Sequence, residues 1–159
     1  MVNGFGRVKA KAAEVSVFAY ATEDESKVID AVLNVVGREF VDSSPKIVKL
    51  TGHYNDPILL IIFNVTENIE EVLKKLFKRL STVNANRLIE EAGGRIDSAG
   101  NLYLRLDKQK AYQGAIVLNE SDPIRIKIRF TVPHLVDPVR SISLYLLGFL
   151  DDEEKLKES

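Results

Sequence analysis

The chain contains no cysteine and no tryptophan, and only one methionine. Without cysteine it can form no disulfide, supply no thiolate nucleophile and build no Cys-ligated zinc or iron–sulfur centre. An excess of either charge is missing as well. Twenty-two Lys+Arg stand against 23 Asp+Glu for a net charge of −1, so the large basic excess of many nucleic-acid-binding domains is absent. The longest apolar run, residues 58–63, has the length of a strand and falls far short of the ~18–20 residues of a membrane span. The first fourteen residues hold no apolar signal core. A cytoplasmic location with no membrane partner is the expectation.

Recognisable catalytic constellations are lacking too. His53 and His134 lie far apart, and neither has a ligand-type residue at helical spacing beside it, so no metal site is expected. No G-x-S-x-G elbow occurs. The paired acids Glu23/Asp24 and Glu90/Glu91 fall at helix ends, where capping and the helix dipole explain them. Asn3-Gly-Phe-Gly6 begins like a dinucleotide-binding loop, but no strand precedes it and Lys9 stands where the third glycine belongs. These absences lead to a non-enzyme with no catalytic residue and no cofactor.

What is present describes an ordinary globular chain of 159 residues, 45% hydrophobic and 28% charged. No repeat, low-complexity tract or linker divides it, which predicts one domain over 1–159. Its core would run from about 13 to 150, between a basic N-terminal flank (Arg7, Lys9, Lys11) and an acidic tail over 151–159. Both flanks are expected to be solvated and mobile.

Periodicity supplies the elements. Residues 14–20 read as a first strand. Thr22-Glu-Asp-Glu25 matches the S/T-x-x-E capping box ahead of Val28, Ile29, Val32, Leu33 and Val36, and Gly37 ends that helix. Residues 46–50 and 58–65 form a hairpin across the polar turn 51–57. Ile69, Val72, Leu73, Leu76, Phe77 and Leu80 trace an amphipathic helix, with Glu70–Lys74 and Glu71–Lys75 paired on its outer side. A short helix over 85–92 should stop at Gly93-Gly94. A second hairpin joins 95–97 to 102–106. A polar turn or short helix follows over 107–113, then strands over 115–118 and 123–132. A terminal helix over 135–149 could also pass as a strand between 141 and 147. Six or seven strands with three or four helices predict an α+β fold, a largely antiparallel sheet with helices packed on one face.

The most informative stretch runs from Ile124 to Phe130. Strand alternation puts Ile124, Ile126, Ile128 and Phe130 on one face and Arg125, Lys127 and Arg129 on the other. A half-buried strand with a wet polar face accounts for the alternation. Three cations at every second position without an intervening acid repel one another, and an anionic partner would relieve that repulsion. Residues 102–106 repeat the pattern, with the leucines opposite Tyr103 and Arg105, and Lys108, Lys110 and Tyr112 follow. On a shared face, the cations would hold phosphates and the tyrosines would offer stacking surfaces or pack at a rim. His53 and Tyr54, at the tip of the first hairpin, have rings suited to stacking on an unpaired base.

Three segments, Ala21-Thr-Glu-Asp24, Leu50-Thr-Gly-His-Tyr-Asn-Asp-Pro57 and Leu102-Tyr-Leu-Arg-Leu-Asp-Lys-Gln-Lys-Ala-Tyr-Gln-Gly114, occur in that order. Together they resemble the archaeal family of predicted RNA-binding proteins assigned to the exosome, across about residues 13–130. The family usually has glycine where this chain has Asp56. The resemblance implies a fold similar to ribosomal protein L5 and draws attention to His53, Tyr54, Arg105, Asp107, Lys108, Gln109 and Tyr112. It also implies exosome- or ribosome-related protein partners.

The expected function is non-catalytic RNA binding at modest affinity. Arg105, Lys108, Lys110, Arg125, Lys127 and Arg129 would meet phosphates, while Tyr103, Tyr112, His53 and Tyr54 would stack on bases. The alternative is an assembly factor acting as a homodimer, suggested by the apolar stretch from Leu144 to Leu150.

Overall fold

Period-2 burial governs the sheet. In the computed structural model, which describes residues 8–41 and 44–158 and the side chains through residue 150, five strands lie in the order β2-β3-β1-β5-β4. They are β1 (Lys9–Tyr20), β2 (Lys46–Thr51), β3 (Pro57–Val65), β4 (Asn101–Asp107) and β5 (Pro123–Thr131), and every pairing is antiparallel. On β5, Ile124, Ile126, Ile128 and Phe130 are buried while Arg125, Lys127 and Arg129 are exposed. On β4, Leu102, Leu104 and Leu106 are fully buried.

The buried side of the sheet is covered by helices. α1 (Glu25–Val36) contributes Val28, Ala31, Val32, Val35 and Val36 to the core. α2 (Ile69–Arg79) contributes Ile69, Val72, Leu73, Leu76 and Phe77, as the stripe predicted. α3 (Thr82–Glu90), α4 (Ala92–Arg95) and α5 (Lys108–Tyr112) complete the layer with α6 (Pro138–Glu158). α6 docks through Ile142 and Leu146 and through rings: Phe149 stacks on Phe77 at 5.3 Å, and Tyr145 meets Phe130 edge-on at 5.4 Å. Core packing thus accounts for Tyr145, Leu146, Phe149 and Leu150 of the apolar stretch. Among the described side chains of α6, Leu144 and Leu147 are the exposed leucines. No helix among the described residues is long and apolar enough to cross a membrane.

Several local expectations change. Residues 9–12 belong to β1 rather than to a free flank, because Lys9 pairs with Thr131 and Ala12 with Arg129 around a bulge between Ala10 and Ala12. Residues 151–158 continue α6 instead of forming a loose tail. Asp24, not Thr22, caps α1, accepting the Ser26 amide at 3.0 Å. Thr22 is held in a turn closed by the Glu23 amide on the Tyr20 carbonyl. Lys75 turns from Glu71 to Glu39 and lies 4.8 Å from the Phe40 ring centre.

Ser81 starts α3 ahead of the predicted position by accepting the Asn84 amide. Gly93 and Gly94 then sit inside the α4 turn rather than ending a helix. Burial of Ala92 and Arg95 on either side holds that turn against the glycines' conformational freedom. Residues 95–97 and 115–118 make only isolated bridges, Ile96 to Leu102, Leu106 to Leu118 and Leu80 to Ile116. The segment over 115–119 borders β4, with the Asp107 amide bonding to the Val117 carbonyl and the Asn119 amide to the Arg105 carbonyl. It covers one end of the edge that β4 would otherwise expose. The glycine-loop stretch Asn3–Gly6 lies outside the described residues.

Leu104 is fully buried between the outward-facing Tyr103 and Arg105. Truncating Leu104 to alanine is expected to lower unfolding stability by about 3 kcal/mol through lost burial and an unfilled cavity, read as a shift in the urea unfolding midpoint.

Candidate nucleic-acid interface

Register brings the cations together. Arg105 lies directly opposite Arg125, Tyr103 opposite Lys127, and Asn101 opposite Arg129. On the other side of β5, Ser16 faces Arg125, Glu14 faces Lys127 and Ala12 faces Arg129. Tyr103, Arg105, Arg125, Lys127 and Arg129 thus form one patch on the face opposite the helices. A shallow depression of about 140 Å³ lies within it, lined by Glu14, Ser16, Tyr103, Arg105, Arg125 and Lys127.

Two guanidinium groups directly opposite each other on neighbouring strands repel. Glu120 offsets the repulsion from one side, its Oε2 accepting from Arg105 at 3.2 Å. Its other oxygen lies 3.4 Å from Arg95, a nearly buried guanidinium that also reaches Glu91 at 3.4 Å. From the other side the Arg125 guanidinium carbon stands 5.3 Å from the centre of the Phe18 ring, a cation–π contact. Arg105 is already partnered, whereas Arg125 keeps its charge over an aromatic face.

Tyr103 is held by a small hydrogen-bonded hub. Asp97 accepts the Asn101 amide at 2.9 Å, the Ala99 amide at 3.0 Å, the Asn101 side-chain amide at 3.0 Å and the Tyr103 hydroxyl at 3.0 Å. These donors, the Asn101 groups foremost, lower the Asp97 carboxyl to about 2. The same carboxylate raises the Tyr103 phenol by accepting its hydrogen. The ring is pinned beneath Lys127, whose ammonium lies 6.0 Å from its centre.

The remaining sequence candidates lie elsewhere. Lys108 does not reach the patch. Its ammonium is nearly buried and bound by the Phe18 carbonyl at 2.9 Å, Glu23 at 2.9 Å and Asp122 at 2.8 Å. It is a structural tie, because its position at the start of α5 aims it back under β1. Asp107 caps α5 by accepting the Lys110 amide at 2.8 Å and also accepts from the Asn119 side chain. Lys110 and Tyr112 are exposed on α5, and Tyr112 borders a separate groove between α1 and α5 with Lys27, Gln109 and Gln113. Asn34 anchors that helix through the Ala111 and Tyr112 carbonyls, and Arg79 bonds the Gly114 carbonyl. His53 and Tyr54 stand exposed at the β2–β3 tip, their rings edge-to-face at 4.8 Å.

Sequence reasoning passed over Phe18, Tyr20, Glu14, Asp97 and Glu120. The alternation of Ser16, Phe18 and Tyr20 against Val15, Val17 and Ala19 was available as a signal for the aromatic pair. Nothing in linear order marks Glu120 as the partner of an arginine fifteen residues away. Among the described residues, no group of three or more His, Asp or Glu side chains is placed to hold a metal ion.

A family model described as RNA binding matches residues 12–130, and so contains the whole patch. An RNA-binding protein of Pyrococcus abyssi is 31% identical over 134 residues, 78% of this chain and 85% of that protein. A protein of Methanocaldococcus jannaschii is 33% identical over 150 residues, 86% of this chain and 97% of its own. Among solved structures, a DUF54 protein from Methanothermobacter thermautotrophicus superposes with a TM-score of 0.73 at 26% identity, covering 89% of this chain and 98% of that one.

Two predictions separate struts from surface. Lys108→Met leaves Glu23 and Asp122 around an uncompensated site and should reduce unfolding stability by about 2 kcal/mol, measured by urea titration. Asp97 has a folded pKa below its ordinary value, so its contribution is present above about pH 4 and is lost as pH falls toward 2. The difference in melting temperature between the native protein and Asp97→Asn should therefore shrink steadily between pH 4 and pH 2.

Proposed function

The chain belongs to the RNA-binding family whose model spans residues 12–130, and from that premise we propose that it is a non-catalytic RNA-binding protein that meets RNA through the exposed face of β4 and β5. One observation carries the reading: Arg105, Arg125, Lys127 and Arg129 stand side by side on a sheet face away from the helices. Phosphate oxygens accept from guanidinium and ammonium donors, and cations spaced at every second strand residue can follow a phosphate backbone. Tyr103, fixed by Asp97, adds a ring at the edge of the same patch. The name carried by the relative from Pyrococcus abyssi agrees with this reading.

The patch is small, and Glu14 and Glu120 lie within or beside it, so the affinity is modest and salt-sensitive, with the few counterions that four cations can release. Lys110, Tyr112, His53 and Tyr54 are secondary contacts at most, since none lies on the β4–β5 face. The resemblance in sequence extends the proposal to partners: work alongside the exosome or the ribosome, on a fold akin to ribosomal protein L5. Co-sedimentation with purified exosome and ribosomal particles tests that extension, and its absence from both overturns it.

Replacing Arg125, Lys127 and Arg129 together by alanine should weaken binding of a labelled RNA oligonucleotide and lower the slope of log K against log salt by about 2, as loss of three phosphate contacts requires. An unchanged slope would remove the β5 cations from the interface.

A further inference from the structure

The helix-free face does not end at the cations. Beyond Arg125, the outward residues of β1 become Phe18 and Tyr20, and register places Leu60 opposite Phe18 and Ile58 opposite Tyr20. Ile62 stands opposite Ser16, and Leu50 of β2 stands opposite Ile58. Phe18 and Tyr20 have ring centres 6.3 Å apart with planes tilted by 35°. Tyr20 is 39% exposed and Leu50 40%. Past the Arg125 end of the cation row, the same sheet surface thus passes into an aromatic and aliphatic corner formed by β1, β3 and β2. The Arg125–Phe18 contact marks the boundary.

We propose that this divided face is built for single-stranded RNA, its phosphates following the β5 cations while unpaired bases lie against Phe18, Tyr20 and the aliphatic strip. The proposal rests on the reading of the cationic patch as an RNA surface and specifies the kind of RNA. Two physical arguments select it. Alternate residues along a strand are about 6.8 Å apart, so Arg125, Lys127 and Arg129 form a row suited to successive phosphates of an extended backbone. The Phe18 ring lies 5.3 Å from the Arg125 guanidinium carbon, which puts the aromatic corner within a base's reach of the near end of that row.

A duplex offers little to the apolar corner. An A-form helix shows phosphates, ribose hydroxyls and groove edges, with its base faces already stacked inside. It could engage the cations while leaving Phe18, Tyr20 and Leu60 wet. Unpaired bases present both flat apolar faces to bury and phosphates to pair, and this surface supplies both complements side by side. Charge complementarity beside the strip favours RNA over an apolar protein segment as its occupant.

The test compares fluorescence-anisotropy titrations of the 159-residue chain with a labelled 12-nucleotide single strand and with the same strand annealed to its complement, at matched salt. The single strand should bind at least about tenfold more tightly. Phe18→Leu and Tyr20→Leu keep an apolar side chain while removing the rings, and their folding is checked by circular dichroism and melting. Together they should weaken single-strand binding at least about fivefold, with the salt slope and duplex binding unchanged. Arg125→Ala should weaken both ligands and lower the slope. Equal affinity for the two ligands, or ring variants that bind the single strand normally, overturns the single-strand assignment and leaves the cationic interface standing. Failure of the protein to bind either RNA at low salt overturns both readings. A dimer formed without RNA and dissolved by Leu60→Glu would assign the strip to a second copy and overturn the inference.

Discussion

Side chains of an extended strand alternate between two faces, and in this protein the helical layer and α6 rest against only one of them. Much else follows from that one-sided cover. Leu102, Leu104, Leu106, Ile124, Ile126, Ile128 and Phe130 supply the inward set of β4 and β5, so the outward set of those strands is free to be polar. A slip of one residue would send Arg125, Lys127 and Arg129 into the hydrocarbon core and the isoleucines into water. Register is therefore held by the core, and the surface inherits its geometry from the same constraint.

Concentrating cations on that face carries an electrostatic cost, and the structure shows how it is distributed. Glu120 links Arg105 on the outer face to Arg95 in the helical layer, tying the edge of β4 to the end of α4. Phe18 spreads its negative ring face toward Arg125. Asp97 spends its hydrogen-bonding capacity on the turn before β4 and on Tyr103. Lys108 serves the opposite purpose. Its charge is withdrawn from solvent and neutralised by Glu23 and Asp122, and its bond to the Phe18 carbonyl clamps α5 to β1. Two lysines two positions apart, Lys108 and Lys110, therefore have different work although their side chains are chemically identical.

Legibility in the sequence followed the range of the interactions involved. Residues 69–80 and 124–130 were transparent because their apolar periods, 3.6 and 2, arise within the element itself. The β2–β3 hairpin was equally plain from its turn. Segments 95–97 and 115–118 were harder, since their apolar residues suit a strand but find only a bridge or two at the edge of β4. The capping of α1 by Asp24 rather than Thr22 depended on where β1 stopped. Gly93 and Gly94 looked like a helix end because their intrinsic preference says so, and the burial of Arg95 overrode it.

By itself, then, the amino-acid order determined the elements, the division of each long strand into an apolar and a polar face, and the absence of thiol chemistry. These are properties of single residues and of spacings within about ten positions. The three-dimensional fold decided which polar faces adjoin. It set β5 between β1 and β4, joining Arg105 to Arg125 across a gap of twenty residues and bringing Phe18 to the same surface from more than a hundred residues away. It also decided that Lys108 points inward. Such outcomes depend on strand order and on the packing of distant segments, which no local pattern encodes, because the burial that selects them is shared by the whole core.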